Sequence, residues 1–167
     1  RLIGRTKEQL NQKLNNPRQQ NTLQKKFKMT PMRIAIGLIL QHPELAREIP
    51  HLPELVELGL PGLALFKNLQ SLSLKNNGIN TGKILELFRD TPEYSALTKL
   101  ASWQHQIGDE TLVAYFQNTF KFIEDQCLNH RAETLLIKDK TEGLTRDEKS
   151  EYQLLLLALA EQKVKDK

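Results

Sequence analysis

Side chains able to do chemistry are few in this sequence and widely spaced. His42, His51, His105 and His130 fall in four separate stretches, and no HxxxH spacing sets two histidine ligands on one helix face. Each is expected to cap a helix, pack against a neighbour or face solvent. The single cysteine, Cys127, cannot form an internal disulfide. It stands at helical spacing beside Ile123 and Leu128, the setting of a small buried hydrophobe rather than of a nucleophile. No serine lies in a G-x-S-x-G turn, and no GxxxxGK[ST] or GxGxxG loop is present to cradle phosphate. The acidic residues from Glu86 to Asp90 alternate with apolar ones, as on a solvated helix face. Catalysis requires titratable groups that converge. The pattern supplies none, so the sequence predicts a chain without catalytic residues, metal or cofactor.

Two stretches read better as binding surfaces. In the first, Lys25, Lys26, Lys28 and Arg33 surround Met29, Met32 and Ile36 at the start of a predicted helix. Helix N-terminal amides favour an anion, and basic side chains beside adaptable methionines suit a peptide with acidic residues, an apolar side chain and a free carboxylate. The competing reading makes Met32 and Ile36 core and the lysines a solubilising flank. The second stretch is 152-YQLLLLALAEQ-162. On a helix, Tyr152, Leu155, Leu156 and Leu159 form a stripe sufficient for one neighbouring helix, while Leu154 and Leu157 fall off it. Leaving two leucines open forgoes a few kcal/mol, at about 1.5 to 3 kcal/mol per buried side chain, that docking can recover. A second protein or a second copy of the same chain would cover them equally well. Direct nucleic-acid binding through the basic region is a further alternative; Phe27 as the one interleaved aromatic residue there gives it little stacking support.

These surfaces need helices to carry them, and the punctuation of the sequence predicts an all-α fold. No stretch alternates with period two over the length of a strand. The first 26 residues are rich in Gln, Asn, Lys and Arg and read as a flexible polar tether. Thr30 and Pro31 mark an N-cap and first helical residue before the apolar run to Leu40, and 43-PELAREI-49 reads as a second short helix. Prolines and glycines make residues 50–62 a connector. Helices follow from Gly62 to Leu74, from Asn80 to Asp90, and from the Thr91-Pro92 pair to Gln106. A long helix over residues 109–140 then runs without Gly or Pro. It outreaches the short helices before it, so its second half leaves the bundle. Gly143 stops it, and Thr145 with Glu148 forms a capping box for a last helix that folds back antiparallel. The predicted hairpin packs Leu128, Leu135 and Leu136 against the stripe at Tyr152, Leu155, Leu156 and Leu159. The domains are therefore the tether over residues 1–26, a compact multi-helix bundle over 27–125 and a projecting C-terminal helical hairpin over 126–167, with the long helix shared. The net charge of +4 over 167 residues does not demand a nucleic-acid surface, and no apolar run reaches the roughly 20 residues of a membrane span. The start at Arg1 reads as a piece of a longer polypeptide, and one cysteine fits a reducing cytoplasm.

The blocks 30-TPMRIAIGLILQHPELA-46, 60-LPGLALFKNL-69, 81-TGKILELFR-89 and 100-LASWQ-104 resemble, in that order, the C-terminal domain of the bacterial replicative primase of DnaG type. The terminal 143-GLTRDEKSEYQLLLLALA-160 resembles the end of that domain more loosely. The resemblance implies a non-catalytic helical bundle with a projecting hairpin that docks a primase onto a hexameric DnaB-type replicative helicase at the replication fork, in the cytoplasm. It also implies that the bundle receives the acidic C-terminal peptide of single-stranded DNA-binding protein, on positions that fall here on Lys28, Met32, Arg33 and Ile36, with Pro31 standing where relatives carry threonine. Little direct nucleic-acid binding is expected. Helical geometry, rather than the resemblance, selects Tyr152, Leu154, Leu157 and Leu159 as the expected helicase contacts.

Overall fold

The computed structural model describes residues 28–50 and 59–165. The predicted tether, Lys25, Lys26 and His51 lie outside the described residues. Contacts divide the chain after Thr30. In the unit beginning at Pro31, every regular element among the described residues is helical.

Helix α1 (Pro31–Gln41) opens on the proline expected to start it. It buries Met32, Ala35, Ile36, Gly37, Leu38, Ile39 and Leu40, which is apolar on nearly every side. Such a helix must be surrounded. Around it pack a 3₁₀ turn η1 (Pro43–Arg47), α2 (Leu63–Lys75), α3 (Thr81–Leu87), α4 (Tyr94–Ala101) and α5 (Asp109–Thr141). Close approach is bought with glycine at two points. A Cβ on Gly37 would stand 3.2 Å from the Trp103 ring, and one on Gly62, whose φ is 87°, would stand 2.8 Å from Met32 Cγ. Phe66 of α2 meets Phe116 and Phe120 of α5 with ring centroids 6.3 and 6.0 Å apart. Polar side chains tie the pieces together. Gln41 donates to the carbonyls of Leu100 and Trp103 at 2.8 and 2.9 Å, and Thr81 Oγ1 donates to the Leu40 carbonyl at 3.0 Å.

Some expected boundaries move. The second short helix is a 3₁₀ turn. The Thr91-Pro92 pair does not start α4, because Thr91 Oγ1 donates back to the Phe88 carbonyl at 2.9 Å and closes the turn after α3; α4 begins three residues later, at Tyr94. It ends at Ala101 rather than Gln106.

Helix α5 is 33 residues long, about 50 Å. Leu112, Phe116, Phe120 and Ile123 line its bundle side, and Ala132 and Leu135 continue the buried stripe into a second, smaller core. Glu142 and Gly143 donate their N–H groups to the Lys138 carbonyl at 2.9 and 3.0 Å, with Gly143 at φ 81°, and α6 (Arg146–Lys165) returns antiparallel. The expected capping box is present: Thr145 N–H donates to Glu148 Oε2 at 2.9 Å and Glu148 N–H to Thr145 Oγ1 at 3.3 Å.

Candidate docking surfaces

The hairpin core holds Ala132, Leu135 and Leu155, with Leu128, Leu144, Tyr152 and Leu159 packed against it. So few apolar contacts need help from polar clips, and three bridge α5 to α6. Gln162 Nε2 donates to Asp125 Oδ1 at 2.6 Å, Arg131 grips both carboxylate oxygens of Glu151 at 2.7 and 2.9 Å, and Lys138 Nζ reaches Glu148 Oε1 at 2.6 Å. The Lys138 ammonium and the Thr145 backbone N–H hold the Glu148 carboxyl down to about 2, and Arg131 holds that of Glu151 below the usual range. Cys127 is fully buried, and burial, with Glu124 nearby, pushes its thiol up and away from reactivity.

The inward direction on α6 is set by Leu155. At about 100° per residue, Leu154 and Leu156 point to the two flanks and Leu157 points almost opposite. Leu154 and Leu157 are 67% and 64% exposed. Leu157, Ala160 and Val164, at i, i+3 and i+7, make one exposed stripe. Tyr152 and Leu159 are half-buried in the hairpin seam, so only their outer edges are available. Two expected seam residues, Leu136 and Leu156, are exposed instead. A two-helix contact is a narrow strip, and a side chain roughly a quarter turn from its centre misses it. Ile137, 64% exposed, extends apolar surface onto the outer side of α5 and was not anticipated. The run Leu135-Leu136-Ile137, three successive apolar residues on one helix, was the only sequence signal for it.

At the start of α1, Met32 and Ile36 are buried, 7% and 4% exposed, and pack toward Gly62, while Arg33 is half-buried. Lys28 is exposed and belongs to the other unit. No acidic residue occupies the first turn of α1, so no side chain there offsets its N-terminal dipole. Beside it, Pro31 and Ile34 of α1 with Tyr115, Asn118, Thr119 and Phe122 of α5 line a shallow apolar groove of about 340 Å³. Tyr115 and Phe122 are i, i+7 on α5, off its buried stripe; that spacing was the overlooked signal.

Convergent chemistry is absent among the described residues: no three of His, Cys, Asp and Glu gather where a metal ion could be held, and no helix is long and apolar enough to cross a membrane. Two of the scattered histidines do meet, His42 and His105.

Set beside known proteins, residues 32–155 match the family described as DNA primase DnaG DnaB-binding. The chain is 42% identical to the DNA primase of Pasteurella multocida over 130 residues, which is 78% of this chain and 22% of that protein. It is 39% identical to the DNA primase of Salmonella typhimurium over 135 residues, 80% of this chain and 23% of that protein. Less than a quarter of each primase is thus spanned. The solved DnaG primase C-terminal domain from Vibrio cholerae superimposes with a TM-score of 0.65 at 34% identity, covering 77% of this chain and 97% of that one. The helical fold is therefore shared with a domain of known architecture, and the chain belongs to the DnaB-binding family of DnaG primase domains.

Proposed function

We propose that this chain is the recruitment module of a bacterial replicative primase, non-catalytic in itself, which attaches to a DnaB-type hexameric helicase through the outer face of the α5–α6 hairpin. Leu154 and Leu157 form the centre of that face, with the outer edges of Tyr152 and Leu159 and the newly recognised Leu156 beside them. The observation that carries the reading is that α6 has already satisfied α5 through Leu155, yet keeps Leu154 and Leu157 about two-thirds exposed. In domain terms the bundle spans residues 27–125 and the hairpin 126–167, with α5 common to both, and the module works in the cytoplasm at the replication fork. The test is a pull-down with the replicative helicase of the same organism. Leu154→Asp with Leu157→Asp should abolish capture while far-UV circular dichroism keeps the helical signal. Loss of helicity would instead place both leucines in the core, and retained capture would put the interface elsewhere.

A second part of the proposal concerns the start of α1, which takes the acidic C-terminal peptide of single-stranded DNA-binding protein. Its support is the helix N-terminus without an acidic residue in its first turn, together with the positive charge of Arg33. Lys28 is included from the sequence alone. Met32 and Ile36, being buried, serve as the floor of the site rather than as its walls. Direct nucleic-acid binding is secondary in this reading; a chain that bound DNA itself would lose affinity steeply with salt in the absence of any peptide.

A further inference from the structure

Two titratable side chains that docking does not use meet across 63 residues of sequence. His42 follows the last residue of α1, and His105 lies in the connection between α4 and α5. Their Nε2 atoms are 3.3 Å apart and their ring centroids 5.5 Å, with both side chains half-buried. The Trp103 ring stands 5.5 Å from His105, and the Gln41 amide anchors the same connection through the Leu100 and Trp103 carbonyls.

The outer nitrogens decide where the protons sit. Ile107 N–H donates to His105 Nδ1 at 3.4 Å, so Nδ1 carries the lone pair and the ring proton is on Nε2, facing His42. The 3.3 Å contact then needs His42 Nε2 to accept, which puts the His42 proton on Nδ1, on the side where Glu44 Oε1 stands 3.4 Å away. One directional chain results: Ile107 N–H to His105 and His105 Nε2–H to His42, with the Glu44 carboxylate standing near His42 Nδ1. We infer that this chain is a proton-sensitive latch that holds the α4–α5 connection onto the junction of α1 with η1 while both rings are neutral. A proton added to His42 sets an N–H on its Nε2 against the Nε2–H of His105. Either the rings part, or His105 moves its proton to Nδ1 and loses the bond from Ile107. A second proton places two cations in contact. Of the charged groups on the neighbouring elements, Glu44 faces His42. Arg47 of η1, Glu48 just after it, Lys99 of α4, and Asp109 and Glu110 of α5 are exposed, where solvent screens them. The same nitrogens would hold a divalent transition metal only with protons on both Nδ1 atoms, and the Ile107 N–H opposes that arrangement.

The test uses the whole chain and two readouts. Long-range ¹⁵N–¹H spectra of the imidazoles at about pH 8 should show His42 as the Nδ1–H tautomer and His105 as the Nε2–H tautomer. Trp103, the sole tryptophan, should change its emission as the pH is lowered to about 5, and the change should fall to about half or less in His42→Gln and in His105→Gln. Both rings in the Nε2–H form at the higher pH would overturn the inference. So would an unaltered emission change in both variants, or a spectrum at about pH 8 that shifts with added zinc and returns with chelator, which would make the rings a metal pair. The tautomer measurement needs no variant and stands even if one fails to fold.

Discussion

Truncating Leu155 to alanine is expected to destabilise the hairpin by about 2 to 3 kcal/mol, and truncating Leu157 by no more than about 1 kcal/mol. The two side chains are chemically identical and two residues apart. Leu155 is 9% exposed in a cluster whose other buried members are only Ala132 and Leu135, so its removal empties much of the seam. A two-helix seam can partly collapse, which puts the cost toward the lower end of core leucine deletions. Leu157 is 64% exposed, so only about a third of its transfer free energy is at stake, and alanine's better helix propensity offsets part of that. Urea unfolding followed by two probes resolves the effect. Trp103 lies in the bundle and reports that part through its emission, whereas far-UV circular dichroism includes α6 and all of α5. Leu155→Ala should lower the dichroism midpoint and leave the tryptophan midpoint nearly in place. Equal losses in the two variants would refute the reasoning, because Leu157 would then be covered in the free chain, by self-association or by a different hairpin register, and would not be available to a partner.

Acid should loosen the same hairpin. Because Glu148 titrates at about 2 when folded, below the ordinary carboxylate value, its stabilising contribution is complete at neutral pH, declines below about 4.5 and is gone once the pH falls through about 2; Glu148→Gln should remove that acid-dependent loss from thermal melts. Gly62→Ala should cost more than about 1 kcal/mol by urea unfolding, since it meets both a left-handed φ and the Met32 side chain, while Gly143→Ala, with nothing within 4 Å, bears only the backbone penalty. Phe66→Ala, deleting a fully buried ring between α2 and α5, should cost about 3 to 5 kcal/mol, seen in both probes. For the acidic peptide, Arg33→Glu should weaken binding by about tenfold or more in calorimetry, with the wild-type affinity falling as salt rises; unchanged affinity would remove α1 from that site.

Helix starts and stops were largely legible, because Pro31, Gly62 and Gly143 act through their own backbone angles, and Asn80 and the Thr145–Glu148 pair through hydrogen bonds to near neighbours. Thr91-Pro92 misled for the same local reason, since the hydroxyl expected to cap the next helix closes the previous turn instead. In α6 the periodicity found the inner residue Leu155 and the outer pair Leu154 and Leu157, but it could not fix the width of the seam, and so Leu156 and Leu136 were placed inside. The meeting of His42 with His105 was beyond local reading, as 63 residues and the packing of α4 on α1 separate the rings in sequence and join them in space. The groove at Ile34, Tyr115 and Phe122 depends likewise on which face of α5 the bundle leaves uncovered.

Because α5 passes from one core into the other without a glycine, a proline or a break, it has no built-in pivot. A tug on α6 is borne by the three polar clips, enters a continuous ladder of backbone hydrogen bonds and arrives at Phe116 and Phe120, against which Phe66 is wedged. Whatever seizes the far end of the hairpin thus gains a lever arm on the centre of the bundle, and shortening or interrupting that shaft between Cys127 and Arg131 should uncouple grip from response while leaving both ends folded.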